Sequence, residues 1–152
     1  EHHTADKFYL ALLDGVLHHD EGEIDKPIGE HPAIPGKMAI KNSGKPSLTF
    51  YRALERFKRF TLAEALIKTG RTHQIRVHLN AIGHALVGDP VYGGKPGKTA
   101  RAIAQILTDF PRQALHAQKL ALIHPKTEQI NQWEAPTPED INDLLQILRI
   151  KK

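Results

Sequence analysis

The segment from which the rest of the architecture follows is Lys7-Phe8-Tyr9-Leu10-Ala11-Leu12-Leu13, and Asp14-Gly15 follows it at once. A short apolar run that ends in a turn dipeptide predicts a buried β-strand. Because the run is apolar along nearly its whole length, we expect this strand to lie near the centre of a sheet.

Three extended runs come later in the sequence, at Lys37–Lys41, Ser47–Arg56 and Thr61–Lys68. The residues between them, Asn42-Ser43-Gly44-Lys45 and the basic corner Lys58-Arg59, are typical of hairpin turns. The third run would also fit a helix, but the hairpin signals before it favour a strand. We therefore predict an antiparallel meander.

A helix is predicted after the meander. It opens at Thr69-Gly70-Arg71-Thr72, places Ile75, Leu79 and Ile82 on one face at helical spacing, and ends at Gly83. The following stretch, 85–97, contains four Gly and two Pro. We expect a structured loop there, because so many glycines and prolines do not suit a regular element.

The C-terminal part of the chain predicts four more elements. They are a helix at Lys98–Phe110, strands at Ala114–Ile123 and Gln129–Glu134, and a final helix that opens at Thr137-Pro138-Glu139-Asp140. That opening combines a capping side chain, a proline at the first helical position and acidic residues in the first turn. The whole pattern predicts one unit with a mixed α+β fold, a mainly antiparallel sheet and flanking helices.

The composition is that of one globular domain, with 152 residues of which 40% are hydrophobic and 25% charged. The absence of cysteine excludes disulfides and thiolate chemistry, and it favours a cytoplasmic location. No apolar run approaches the roughly 20 residues of a membrane span. The formal charge of +4 and the pI near 9.4 are compatible with a polyanionic partner.

Side chains that could perform chemistry are concentrated in four places, Gly70–His78, Gly83–Gly93, Arg112–Ala117 and the strand around Tyr9. The first of these places Arg71 and Arg76 at the start of a helix. Backbone donors, the helix dipole and fixed positive charge favour a phosphate or carboxylate at such a place. Alternatively, these residues only cap the helix and pair with surface acids.

Other chemistries find little support in the sequence. His73 and His78 lie five residues apart, a spacing that a straight helix does not stack, so we predict no metal site. No glycine-rich nucleotide loop occurs, and neither Ser43 nor Ser47 lies in a nucleophile elbow. On pattern alone, Tyr9 is typical of a core aromatic residue.

The segments Gly70–His78, Gly83–Gly93 and Arg112–Ala117 closely resemble the RluA/RluD-type family of ribosomal large-subunit RNA pseudouridine synthases. Gly88–Gly94 and Arg112–Ala117 are most similar to its RluD branch. The resemblance extends to Lys7-Phe8-Tyr9 and Ala135-Pro136. It implies the C-terminal half of that family's catalytic domain and isomerisation of uridine to pseudouridine in RNA, without cofactor or metal. Such an enzyme must take the target base out of its stack.

The resemblance also implies roles for individual residues. Tyr9 matches the family's active-site tyrosine, whose ring lies against the target base and can accept a proton late in the reaction. Arg76 matches the arginine that forms a salt bridge with the catalytic aspartate. Ile75 and Leu115 are expected to form an apolar wall. The expected substrate-binding set comprises Arg71, His73, Gln74, Ile75, His78, Leu115 and His116.

One feature of the family does not occur in the 152 residues: the nucleophilic aspartate of a His-Arg-Leu-Asp-x-x-Thr-Ser-Gly motif upstream of the tyrosine strand. Asp89 lies in a family-like motif, but at a position expected to cap or fix the loop. We expect residues 1–152 to be the C-terminal portion of the catalytic domain, inactive alone, with an uncovered sheet edge and apolar face. The alternatives are a catalytically dead RNA-binding module and a fragment that only scaffolds a partner.

Overall fold

The computed structural model of the chain describes residues 4–93, 113–123 and 130–150. Within those ranges the chain forms eight strands and two helices. The strands are β1 (Thr4–Asp14), β2 (Glu21–Asp25), β3 (Ile28–Glu30), β4 (Met38–Ile40), β5 (Leu48–Arg56), β6 (Phe60–Ile67), β7 (Leu115–Ile123) and β8 (Ile130–Glu134); the helices are α1 (Gln74–Ala81) and α2 (Glu139–Ile150).

Six of the strands form one antiparallel sheet in the order β2-β5-β6-β1-β7-β8. The first predicted strand, β1, lies inside this sheet and pairs with β6 on one side and β7 on the other. Both the central position of β1 and the mixed α+β class are therefore confirmed.

Successive side chains of β1 belong to two separate cores, because neighbouring residues of a strand point to opposite faces. Leu10 and Leu12 pack in the core that contains the apolar face of α2. Ala11 and Leu13 pack in the core that contains Ile75 and Leu79 of α1. The sheet is thus covered by α2 on one face and by α1 on the other.

The predicted meander is partly wrong. The β5–β6 hairpin forms as expected, and the Phe57 N–H donates to the Phe60 carbonyl at its turn. The run at Lys37–Lys41 contains β4, but β4 pairs with β3 in a separate two-stranded sheet rather than with β5. Residues 42–45 instead fold back on β3, where Ile28 and Lys45 exchange two backbone hydrogen bonds of 2.9 and 2.8 Å.

The sequence did not predict β2, which is the edge strand of the large sheet. Among its residues only Ile24 is buried, so the strand lacks the apolar alternation that identifies a strand in sequence. At the edge of the sheet, β2 pairs with β5 through backbone hydrogen bonds, which do not depend on the residue types and so cannot be recognised in the sequence.

The later elements agree with the sequence where the structure describes them. Strands β7 and β8 and helix α2 confirm three predictions, and Ile141, Leu144, Leu145 and Leu148 form the buried face of α2. The predicted helix at Lys98–Phe110 lies outside the described residues.

The face of the sheet that packs against α2 also carries, beyond that helix, an open hollow of about 510 Å³. Phe8, Phe50 and Leu66 form its apolar floor. All three residues are only half-buried. In the described part of the chain, this apolar hollow is partly open to solvent.

We predict that Leu79→Ala will destabilise the chain by about 2–5 kcal/mol, because Leu79 is fully buried between α1 and the sheet. Leu54→Ala is the matched control: Leu54 is 44% exposed, so its truncation should cost about 0.5 kcal/mol or less. Urea unfolding monitored by circular dichroism measures both. Equal losses in the two variants would contradict the described packing of α1.

Candidate active-site groove

A groove of about 340 Å³ lies on the α1 side of the sheet, between β1 and the start of α1. We call it the tyrosine groove. Seven of the nine residues singled out from the sequence line it: Tyr9, Arg71, His73, Gln74, Ile75, Arg76 and Leu115. The lining also includes four residues that the sequence analysis did not select, Lys7, Ile67, Gly70 and Gln113.

Tyr9 is half-buried at a β-bulge, where the register between β1 and β7 shifts between Phe8 and Tyr9. Bulges redirect side chains next to functional sites. The residues opposite Tyr9 are Ala65 on β6 and Ala117 on β7. Since cross-strand neighbours lie about 5 Å away, two alanines leave space beside the phenol ring that larger residues would fill.

Helix α1 begins later than predicted, at Gln74, because His73 adopts a left-handed backbone conformation with φ 56°. The Gln74 side chain holds the preceding turn together. Its carbonyl accepts hydrogen bonds from the Thr69 hydroxyl and the Arg71 N–H, and its amide nitrogen donates to the Leu48 carbonyl and the Thr49 hydroxyl.

Those four hydrogen bonds use the full capacity of a glutamine side chain. Gln74 is also only 2% exposed. Gln74, which was predicted to bind the substrate, shapes the groove by fixing the 69–73 turn against β5.

Arg76 forms a two-point ion pair with Asp89, in which Nε and Nη2 each donate to one carboxylate oxygen at 2.8 Å. The Asp89 side chain is fully buried and that of Arg76 is 12% exposed. Asp89 Oδ1 also accepts the N–H groups of Val91 and Tyr92, which confirms that Asp89 fixes the loop. A guanidinium has five N–H donors, so Asp89 leaves three for other acceptors.

The ion pair shifts the pKa values of both of its members. Burial would raise the pKa of Asp89, but the hydrogen bonds from Arg76, Tyr92 and Val91 outweigh it and hold that pKa below its ordinary value. The hydrogen bond to Asp89 raises the pKa of Arg76 despite burial. Both groups are therefore charged at neutral pH.

Tyr92 connects His73, Arg76 and β4. Its hydroxyl lies 2.7 Å from His73 Nδ1 and accepts the Met38 N–H at 2.9 Å. The Arg76 guanidinium lies over the Tyr92 ring, 4.9 Å from its centroid. Burial, and then the charge of Arg76, lowers the pKa of His73. A lowered pKa favours the neutral form of the His73 ring, which shares a hydrogen bond with the Tyr92 hydroxyl.

Two residues that were predicted to bind the substrate, His78 and His116, do not line the tyrosine groove. His78 is fully buried, with Nε2 2.9 Å from the Lys26 carbonyl and Nδ1 2.7 Å from the Thr49 hydroxyl, and burial lowers its pKa. It braces α1 against β5. His116 pairs across the sheet with Leu10 and therefore faces the α2 side, where its Nε2 lies 3.1 Å from the Ala135 carbonyl.

The rim of the groove is positively charged. The Arg71 guanidinium donates twice to the Pro46 carbonyl, which fixes the charge at the edge. The Lys7 ammonium lies so close to Gly70 that a Cβ at residue 70 would stand 2.9 Å from Lys7 Nζ. Among the described lining residues there is no acidic side chain, so Lys7 and Arg71 give the rim a positive charge that suits a polyanion.

The described ranges contain no group of three histidine, aspartate or glutamate side chains placed to hold a metal ion. Neither of the two described helices has the length and apolar character needed to cross a membrane.

Residues 1–81 match the family model for RNA pseudouridylate synthases. This match covers more than half of the 152 residues, and the chain belongs to that family. Ribosomal large subunit pseudouridine synthase D of Nitrosomonas europaea is 50% identical over 148 residues, which cover 96% of this chain and 42% of that protein. The protein of the same name from Pseudomonas aeruginosa is 47% identical over 149 residues, or 96% of this chain and 46% of that one.

Among solved structures, human RNA Pseudouridylate Synthase Domain Containing 1 has a TM-score of 0.71 and 28% identity, and the match covers 96% of this chain and 66% of the human one. The chain spans less than half the length of the two bacterial relatives.

We predict that Asp89→Asn will destabilise the chain by about 3 kcal/mol at neutral pH, because it leaves the buried Arg76 charge without its partner. Since the folded pKa of Asp89 is lowered, its stabilisation is present above the unfolded pKa of about 3.9 and is lost as the pH falls through the folded value. Urea unfolding at a series of pH values should show a shallower acid limb in the variant.

Asp20→Asn is the control for this experiment. Asp20 also pairs with an arginine, Arg56, but its side chain is 87% exposed. Its loss should change stability by about 1 kcal/mol at most. If both variants behaved alike, the Arg76–Asp89 pair would not be a structural determinant.

Proposed function

We propose that the protein isomerises uridine to pseudouridine in RNA, with large-subunit ribosomal RNA as the substrate and the cytoplasm as the site of action. The observation that carries this proposal is the tyrosine groove, in which an aromatic ring, apolar walls and a buried guanidinium meet under a basic rim. The names of the bacterial relatives support the ribosomal substrate class.

In this proposal Tyr9 lies against the extruded base. The ring supplies a flat apolar surface, and its hydroxyl supplies a group that can accept a proton from the reacting carbon. Ile75 and Leu115 complete the apolar wall. Such a wall offsets part of the few kcal/mol that unstacking a base requires.

Arg76 is proposed to hold the nucleophilic carboxylate. Asp89 and Tyr92 fix the guanidinium in place, and the three N–H donors that Asp89 does not use are enough for a second carboxylate. A guanidinium at this position would keep the nucleophile ionised and oriented. The isomerisation needs no cofactor, because the base is detached and rejoined through carbon five.

The nucleophile itself is proposed to come from the part of the family's catalytic domain that carries the His-Arg-Leu-Asp motif. That motif does not occur in the 152 residues. In this proposal the chain is the C-terminal portion of the domain, and it supplies the base-facing ring, the guanidinium and the basic rim. A catalytically inactive RNA-binding module is the second candidate, which the basic rim of the tyrosine groove supports equally well.

Tritium release from RNA labelled at carbon five of uridine separates the two candidates, because that hydrogen is lost when carbon five joins the sugar. We expect no release from the 152-residue chain. Release is expected when the chain is fused behind the part of the Nitrosomonas europaea relative that precedes the matched region. Failure of the fusion, with RNA binding intact, would favour the binding module; release by the chain alone would mean that it carries its own nucleophile.

In that active fusion, we predict that Arg76→Lys will lower turnover by about 100-fold or more while changing RNA affinity by less than about 3-fold. A lysine keeps the positive charge but cannot donate to two carboxylates in fixed directions. Arg52→Lys is the control, because Arg52 pairs with Glu64 at the surface, outside the tyrosine groove. Equal turnover in the two variants would remove Arg76 from the reaction.

A further inference from the structure

A second groove, of about 350 Å³, adjoins the tyrosine groove and shares Lys7 and Tyr9 with it. Its other walls come from the neighbouring strands, with Ala117 and Lys119 of β7 and Trp133 of β8. We call it the tryptophan groove. Because two lining residues belong to both grooves, a chain-like ligand that fills one of them is led directly into the other.

The sheet register places Trp133 on the same face as the tyrosine groove. Trp133 pairs with Leu120, and Leu120 pairs with Lys7, so the three residues form one row across β8, β7 and β1. Paired residues of neighbouring strands project from the same face. Trp133 therefore lies in the same row as Lys7, two strands away, on the side of the sheet where Tyr9 lies.

Trp133 is 52% exposed, which is unusual for so large an apolar side chain. The backbone beside it is nevertheless fixed, because the Ala135 N–H donates to the carbonyl of Gln118, the extra residue of the β7 bulge. The end of β8 is thus attached to the same bulge that positions Tyr9. An exposed aromatic ring on an ordered strand is the arrangement that proteins binding single-stranded nucleic acids use for base stacking.

We propose that Trp133 is a stacking platform for a nucleobase that neighbours the target nucleotide in a single-stranded RNA segment, and that Lys7 contacts the phosphate backbone between the two bases. This inference rests on the proposed RNA substrate and deepens it by naming a second base site.

Spacing supports two bases rather than one. Strands lie about 4.8 Å apart and residues rise about 3.3 Å along a strand, so the backbones at Trp133 and Tyr9 are about 12 Å apart. At that separation the two rings can each contact a different base. Lys7 lies at the β1 end of the row that contains Trp133, two residues from Tyr9 and at the junction of the grooves, where a linking phosphate would pass.

Charge also favours RNA as the occupant. On the face that carries Trp133 and Tyr9, the charged side chain of the tryptophan groove is Lys7. Lys119 and Glu134 pair with each other across β7 and β8 on the opposite face, where the Lys119 ammonium lies 4.6 Å from the centroid of the Phe8 ring. The groove continues into a second one without acidic residues among its described lining. A polyanion with flat apolar bases matches both features.

The chain contains one tryptophan and three tyrosines, so emission excited selectively at tryptophan reports on Trp133 alone. We would titrate the 152-residue chain with a single-stranded RNA pentamer that has a central uridine and a fluorescein label, following both tryptophan emission and fluorescein anisotropy. The same pentamer with abasic residues on both sides of the uridine is the matched ligand. We expect quenching by the first RNA and little or none by the second.

Trp133→Ala should weaken binding of the intact pentamer about 5- to 150-fold, the range expected for loss of one base–aromatic stack. It should have little effect on the abasic pentamer. Leu54→Ala, which truncates an exposed residue outside both grooves, should bind as the unaltered chain does. Lys7→Ala should reduce the salt dependence of binding by about one counterion, whereas Lys58→Ala, at the exposed β5–β6 turn, should not.

Two results would overturn the inference in different ways. If the pentamer binds but leaves Trp133 fluorescence and the affinity of Trp133→Ala unchanged, the second base site is wrong and the proposed function stands. If anisotropy shows that neither RNA binds the unaltered chain at low salt, the RNA-binding role proposed for this chain fails and the base site fails with it.

Discussion

The ion pair between Arg76 and Asp89 is the interaction on which the arrangement of the groove depends. It joins the first turn of α1 to the loop after it, and Asp89 then orders that loop through the N–H groups of Val91 and Tyr92. Tyr92 continues the connection to His73 and to Met38 of the small sheet. A charge pair of this kind is costly to bury, so it persists only where both partners are present and every oxygen is satisfied.

The main elements could be predicted because their residues show regular patterns. The apolar run at 7–13 identified β1, and the spacing of Ile141, Leu144 and Leu148 identified α2. The residue patterns failed to predict the strands that are held mainly by backbone hydrogen bonds. The polar edge strand β2 has one buried residue, and β4 found its partner in β3 because Gly44 allows a close approach to the backbone of Ile28.

The site could be predicted as a set of residues but not as a geometry. Two exclusions were within reach of the sequence: His116 alternates with Leu115 along β7 and so points to the other face, and His78 lies on the buried side of α1 with Ile75 and Leu79. The full set of hydrogen bonds of Gln74 and the pairing of Arg76 with Asp89 could not be predicted from the sequence. Both depend on segments that only the folded chain brings together. Lys7 and Gln113 entered the groove for the same reason.

Strand β1 separates two packed layers that have different roles. Its odd-numbered residues from Tyr9 to Leu13 belong to the layer that contains the groove, and Leu10 and Leu12 belong to the layer that α2 completes. In the described part of the chain, the α2 layer stabilises the fold by packing and supplies no residue to the tyrosine groove. Substitutions between aliphatic residues should therefore be tolerated most readily in the α2 layer, where a change in one side-chain volume can be compensated by a neighbouring side chain. The layer that contains the groove has alanines on β6 and β7 beside Tyr9. Adding even one methyl group at either position would reduce the space that is available to a ligand.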